Sequence, residues 1–323
     1  MPATRANVAD RSFAALAWAA GVTVLAILGA IIVMLFVGGL PAFRHFGLSF
    51  LTIGAWDPPK QVFGALVAVY GTILTSVIAL VLAVPLSFGI AFFLTETSPG
   101  WLRGPLGTAV ELLAGIPSII YGMWGFFVVV PIMAQHIQPP VIDAFGWLDD
   151  RLGDVPVLGW IADRLADIFA GPPYGSGVFT AGVILAVMTI PFIAATMRDV
   201  FLTVPGVYKE SAYGLGCTTW EVMRSIVLPH TRTAVVGGIM LGLGRALGET
   251  MAVTYVIGNT NHISDNLFAN GNTIASLIAL DFDSAQLEPL RLHSLLALGF
   301  LLFVISFIVL AISRLLLRPR LKV

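Results

Sequence analysis

The sequence predicts an all-α, polytopic membrane protein with six transmembrane helices. Of its 323 residues 58% are hydrophobic and 11% charged, and the mean hydropathy is +0.93, more apolar side chain than one water-soluble core holds. The apolar residues gather in six runs long enough to cross a hydrocarbon core about 30 Å thick. Lys and Arg fall mainly on alternate connections, the ordering expected of cytoplasmic loops. Such runs must be helices, because an isolated strand in lipid leaves its backbone unpaired.

Span one covers Phe13 to Leu40 and follows Arg5 and Arg11. Its apolar run exceeds the roughly 7 to 15 residues of a secretory signal and no clear small-residue cleavage site follows, so residues 1–65 read as an uncleaved anchor with the first outer loop. Residues 66–316 form the core, with spans at Leu66 to Leu94, Leu106 to Met133, Val178 to Met197, Ala234 to Gly258 and Ser294 to Leu316. Pro85, Pro117 and Pro191 interrupt or border these spans and are expected to kink them. Residues 317–323 are a basic tail. With both termini cytoplasmic, Arg5, Arg11, Arg103, Arg198, Lys209, Arg224, Arg232, Arg314, Arg318, Arg320 and Lys322 lie inside. Only Arg44, Lys60, Arg151, Arg164 and Arg291 then lie outside.

The outer loop 134–177 mixes Pro139, Pro140 and Pro156 with acidic residues, among them Asp143, Asp149, Asp150, Asp154, Asp163 and Asp167. Within it Ile161, Leu165, Ile168 and Phe169 recur at helical spacing, which predicts a short helix at the outer interface. Asn272 to Leu280 predicts a second. This acidic face is a poor funnel for an anion, so a separate capture protein would be useful.

Several chemistries lack their residues. None of the three lysines (Lys60, Lys209, Lys322) follows a glycine, so no P-loop exists and the chain does not bind ATP by that route. The histidines His45, His136, His230, His262 and His293 are scattered, without H-E-x-x-H. Cys217 is the only cysteine, which excludes an intramolecular disulfide and reads as a small packed side chain. Ser176 lacks the glycine two residues earlier that a serine nucleophile elbow requires. A net charge of -1 gives no footprint for nucleic acid.

The cytoplasmic loop 198–233 is more ordered in its chemistry. Pro205 suits a helix start, Gly216 a left-handed C-terminal cap, and Thr218 with Glu221 a capping box for a second helix that Pro229 closes. The pattern Glu210-x-Ala212-x3-Gly216-x9-Ile226-x-Leu228-Pro229 resembles the EAA loop of bacterial ABC-transporter permeases, with Ser211 where that family usually has Ala. The resemblance implies that Glu210, Ala212, Gly216, Ile226 and Pro229 couple the chain to a cytoplasmic ATPase subunit.

Span five carries Arg245 and, four residues on, Glu249. Helical spacing puts both on one face, close enough to neutralise each other. An arginine inside the bilayer needs a partner or a wet cavity, so Arg245 marks a functional position. Two readings stand: an ion pair that fixes packing, or a relay in which the guanidinium fork binds a tetrahedral oxyanion and Glu249 holds the fork when empty. Gly238 with Gly242 and Gly244 with Gly248 are small-xxx-small spacings, which favour a wall shared with another subunit. Glu111 is a second intramembrane acid that pairs with Arg245 or bonds a nearby backbone. Thr72, Thr75 and Ser76 share one face of span two and suit a path lining, as does Thr250 beside Glu249.

The segments Arg245 to Val253, Gly115 to Gly122 and Tyr70-Gly71-Thr72 resemble the permeases of phosphate-specific transport (Pst) importers. Met251-Ala252-Val253 and Tyr121 to Gly125 are closer to the PstC type than to the PstA type. The resemblance runs from about Leu66 onward and is weakest before Gly177. It implies a type I ABC importer permease fold in the inner membrane, phosphate as cargo, and substrate-path roles for Arg245, Glu249, Thr250, Thr72 and Glu111. It also implies a PstA-type second permease, two ATPase subunits carrying ATP and Mg, and a phosphate-binding protein as partners, with no cofactor or catalytic residue in this chain. An importer of sulfate or molybdate, or an ATP-independent anion transporter or channel, is the alternative; the latter leaves the EAA-like loop without a purpose.

Overall fold

A computed structural model describes residues 3–152, 155 and 158–316, with backbone only for 3–9 and 316. The basic tail 317–323, and Asp154 and Pro156 of the outer loop, lie outside the described residues. The helices are α1 (Ala3–Phe46), α2 (Leu66–Phe92), α3 (Gly100–Ala114), α4 (Ser118–Trp124), α5 (Val130–Ile132), α6 (Gln138–Leu152), α7 (Leu158–Phe169), α8 (Val178–Leu202), α9 (Gly206–Gly214), α10 (Thr219–Val222), α11 (Leu228–Leu247), α12 (Met251–Val256), α13 (Ile274–Ala285) and α14 (Pro289–Leu316). A two-stranded hairpin, β1 (Trp56–Asp57) and β2 (Val62–Phe63), pairs Trp56 with Phe63.

Among the described residues six helices are long and apolar enough to cross a membrane, the number the hydropathy predicts. Two of them lie elsewhere than expected. Span three is broken at Gly115-Ile116-Pro117, and its long apolar run is Ser118–Leu152, joined through wide π-turns at 125–129 and 133–137. Much of the expected outer loop is therefore a helical continuation, and α6 and α7 form an outer hairpin in which Phe145 stacks on Phe169 at 4.5 Å. Pro139 and Pro140 stand at the start of α6, where a missing N–H costs little. In α7 the packed residues are Ala162, Leu165, Ile168 and Phe169, while Ile161 is exposed.

Span five ends at Leu247, and the chain breaks at Gly248-Glu249-Thr250 before α12. Pro229 closes nothing: the helical run Thr219–Leu247 continues through it. The π-turn Met223–Val227 immediately before absorbs the proline, whose ring removes one donor from the ladder. Pro85 and Pro191 lie inside unbroken helices, and only Pro117 marks a break.

The core has two parts. α8 is its centre, with Ile184, Leu185, Met188, Ile193 and Met197 buried against α2, α11 and α12. A second cluster joins Ala42 of α1, Phe50 and Phe63 to Ile274, Leu277 and Leu298 of α13 and α14. Ala42, Phe50, Trp56 and Phe63, which precede α2, thus share a core with the C-terminal helices. Expected at the interface, α13 instead starts inside this cluster, capped by Thr273 and Ser276. The Trp56 indole N–H donates to Asp281, which also pairs with Arg291, pinning the hairpin to both helices.

Candidate substrate path and docking face

The broken third and fifth spans meet. α4 packs along α12, and Gly122 permits the contact: a Cβ there would stand 2.9 Å from the Ala252 Cα. Tyr121, one residue earlier, donates its hydroxyl to the Leu113 carbonyl at 3.0 Å, across the third-span break. Unwound backbone within a membrane helix persists where protein or a wet cavity satisfies it, and transporters place binding sites at such breaks.

Arg245 stands two residues before the fifth-span break, half-buried. The expected pair with Glu249 is not formed. Because α11 stops at Leu247, Glu249 leaves the face it would occupy on a continuous helix, and its carboxylate accepts the Ala252 N–H at 3.2 Å, closing the start of α12. Among the described residues Arg245 makes no hydrogen bond or ion pair; its guanidinium lies over the Phe192 ring of α8 at 5.9 Å, within electrostatic reach of Tyr121. An aromatic face holds a cation without occupying its N–H donors. Thr250, the cap residue of α12, turns its hydroxyl back to the Gly248 carbonyl at 3.3 Å.

Two residues assigned to the path lie elsewhere. Glu111 pairs with Arg198, not Arg245, at 2.5 Å, and Arg198 also holds Asp199 at 2.8 Å. The break at Gly115 redirects α3 along the end of α8, which carries Glu111 there. Thr72 is 2% exposed: its hydroxyl donates to the Ala68 carbonyl at 2.7 Å and accepts the Ile274 N–H at 2.9 Å. Thr75 and Ser76 are likewise buried and bonded to their own helix. Small hydroxyl side chains suit a polar path and close helix approach equally, and here α8 and α13 take the face. Gly238 and Gly242 lie against Thr196 and Ile193 of this chain's own α8, so that stripe is spent internally; Gly244 faces open space.

The helix pair α9 and α10 matches its local chemistry. Gly216 has φ of +88°, and Cys217 N–H reaches back to the Ala212 carbonyl at 3.1 Å while Gly216 N–H bonds Tyr213 at 2.9 Å, a Schellman-type ending to α9. Thr218 and Glu221 form the reciprocal capping box at the start of α10. The Thr218 N–H holds the Glu221 carboxyl below the usual glutamate range. Ala212, Ile226 and Pro229 line one groove of about 490 Å³ with Tyr208 and Leu215, whereas Glu210 is exposed outside it. Missed by the sequence reading were Phe192, a ring among many, and the contact of Lys209 with Glu96 at 2.6 Å, for which no spacing in the sequence joins the two residues.

A helical membrane chain with two spans broken at one level and a capped helix pair outside them is built as a transporter permease. The family model for the binding-protein-dependent transport system inner membrane component matches residues 83–323. The "Phosphate transport system permease protein PstC" of Pasteurella multocida is 54% identical over 91% of this chain and 87% of its own length. That of Mesorhizobium japonicum is 52% identical over 96% and 90%. Among solved structures, the MetNI methionine ABC transporter in an inward-facing conformation aligns with a TM-score of 0.54 at 16% identity, covering 81% of this chain and 98% of that one. A bacterial alginate ABC importer aligns at 0.53 and 16%, covering 94% and 96%. The chain belongs to the binding-protein-dependent transport permeases, and within them to the PstC permeases of phosphate transport systems.

Proposed function

We propose that this chain forms the translocation path for inorganic phosphate in an ATP-driven importer of the inner membrane. The kinship with phosphate transport permeases over nine-tenths of the chain carries this reading. Arg245 is the residue we assign to the anion: its donors are not taken by Glu249, and a guanidinium fork presents two parallel N–H groups to a tetrahedral oxyanion. Glu249 and Thr250 fix the break beside it. A PstA-type permease completes the path, a phosphate-binding protein delivers the cargo outside, and two ATPase subunits bearing ATP and Mg grip α9 and α10 inside, with both termini cytoplasmic. The groove between Ala212, Ile226 and Pro229, and exposed Glu210, support that docking face.

Labelled phosphate uptake by vesicles holding the assembled complex tests the reading. Phosphate should compete and sulfate and molybdate should not; equal competition by sulfate overturns phosphate as cargo. Arg245→Gln should reduce uptake about ten- to a hundredfold, the worth of a charged hydrogen-bonded contact, and undiminished uptake removes Arg245 from the path.

A further inference from the structure

The docking helix α9 is joined covalently to α8 and, through α10, to α11, yet its most buried polar contact is with neither. Lys209 Nζ lies 2.6 Å from Glu96 Oε1, on the last turn after α2, and the two side chains are only 15% and 6% exposed. The same ammonium donates to the Phe201 carbonyl at the end of α8, at 3.4 Å. Aromatic contacts run in parallel: Trp220 of α10 meets Phe88 and Phe92 of α2 edge-on at 6.3 and 6.0 Å, and Phe201 meets Phe88 at 6.0 Å. Neighbouring residues on α9 therefore take different surroundings, Glu210 exposed and Lys209 turned into the bundle. From this junction α8 leads to Phe192 beneath Arg245, and α2 leads to Thr72, which holds α13.

We propose that the Lys209–Glu96 pair is a strut making the docking helix and the inner ends of α2 and α8 move as one body, so that motion imposed on α9 reaches the fifth-span break. Lys209 and Glu96 are positioning residues, acting through α2 and α8 without touching the anion. Burial is what suits them to this: an exposed pair exchanges its partner for water, whereas a buried one has none to accept and resists separation. The inference rests on the reading that an ATPase subunit grips α9.

The test uses the complete complex in vesicles, with three readouts: ATPase subunit recovered with the permease, ATP hydrolysed, and phosphate moved per ATP. Lys209→Met and Glu96→Gln should leave recovery and hydrolysis near the parent level and lower phosphate per ATP about tenfold, a typical size for coupling between sites. Exchange of the charges (Lys209→Glu with Glu96→Lys) should restore the ratio to within about threefold. Where a single variant fails to assemble because a charge is stranded, Lys209→Met with Glu96→Leu removes both charges and should assemble with the ratio still low. A normal ratio in the single variants or in this apolar pair overturns the strut, as does a charge exchange that assembles without regaining the ratio. Lost ATPase recovery in every variant, with the parent recovering it, also overturns the strut and makes the pair part of the docking face. No ATPase recovery with the parent chain overturns the docking reading itself.

Discussion

The loop 198–233 and the fifth span are each a helix, a glycine-bearing break and a second helix, and they treat their polar groups in opposite ways. At Gly216 the turn is closed on itself: Ala212 and Tyr213 carbonyls are bonded, and Thr218 and Glu221 cap each other. At Gly248 the break is open: Thr250 gives α12 no side-chain cap bond, Glu249 accepts the Ala252 N–H, and among the described residues Arg245 makes no hydrogen bond or ion pair. The first spends its polar groups within its own turn and cap. The second holds unspent hydrogen-bonding capacity inside a membrane, where such capacity is costly unless a ligand uses it.

The largest expected effect separates charge from geometry at the open break. Arg245→Gln should cut phosphate uptake, normalised to assembled complex, about ten- to a hundredfold, and Arg245→Lys by less, since it keeps charge and loses the fork. Adding Glu249→Gln to Arg245→Gln should not restore uptake. Normal uptake by that double variant would falsify an anion role and leave a packing role for both.

At the closed turn a Cβ at Gly216 meets no atom within 4 Å, so Gly216→Asp costs mainly through the backbone at φ +88°, about 1 kcal/mol, together with its new charge. Recovery of the ATPase subunit with the permease should fall several-fold while the spans still insert, and Glu210→Lys should act in the same direction by reversing charge. Undiminished recovery in both would detach the turn from docking.

Glu249→Gln is expected to be milder, because the amide oxygen still accepts the Ala252 N–H; uptake should change by less than about threefold. Abolished uptake would mean that Glu249 serves the anion or Arg245 directly, and the two breaks would be less different than they look.

The smallest effects belong to the capping box. Thr218→Ala should cost about 1 kcal/mol of α10 stability, seen as faster amide exchange at 219–223. The Glu221 carboxyl is held below the usual glutamate range by the Thr218 N–H. Its contribution is therefore complete above the unfolded glutamate value and is lost as pH falls through the folded one. Protection of the same amides, measured against their intrinsic exchange at each pH, should fall over that acid window in the parent chain and stay flat in Glu221→Gln.

Local physics made much of this legible in the sequence. Six apolar runs fixed six spans because lipid leaves no other backbone solution, and the ends of α9 and α10 followed from Pro205, Gly216, Thr218 and Glu221 because caps involve neighbours a few residues apart. The reading that Pro229 ends its helix failed because a π-turn upstream absorbs a proline, which depends on packing around Met223 and Val227, both fully buried.

What the sequence by itself determined was the class of molecule, the polar side chains placed within its spans, and the closed turn at Gly216, all set by hydropathy, charge and short-range hydrogen bonds. Only the tertiary structure decided how those side chains are partnered. Arg198 takes Glu111, Glu96 takes Lys209, Ile274 takes Thr72, and the break after Leu247 takes Glu249 away from Arg245. Glu111, Glu96 and Thr72 find partners far along the chain, whereas Glu249 turns to Ala252 three residues on, and each outcome is set by where the spans break and cross.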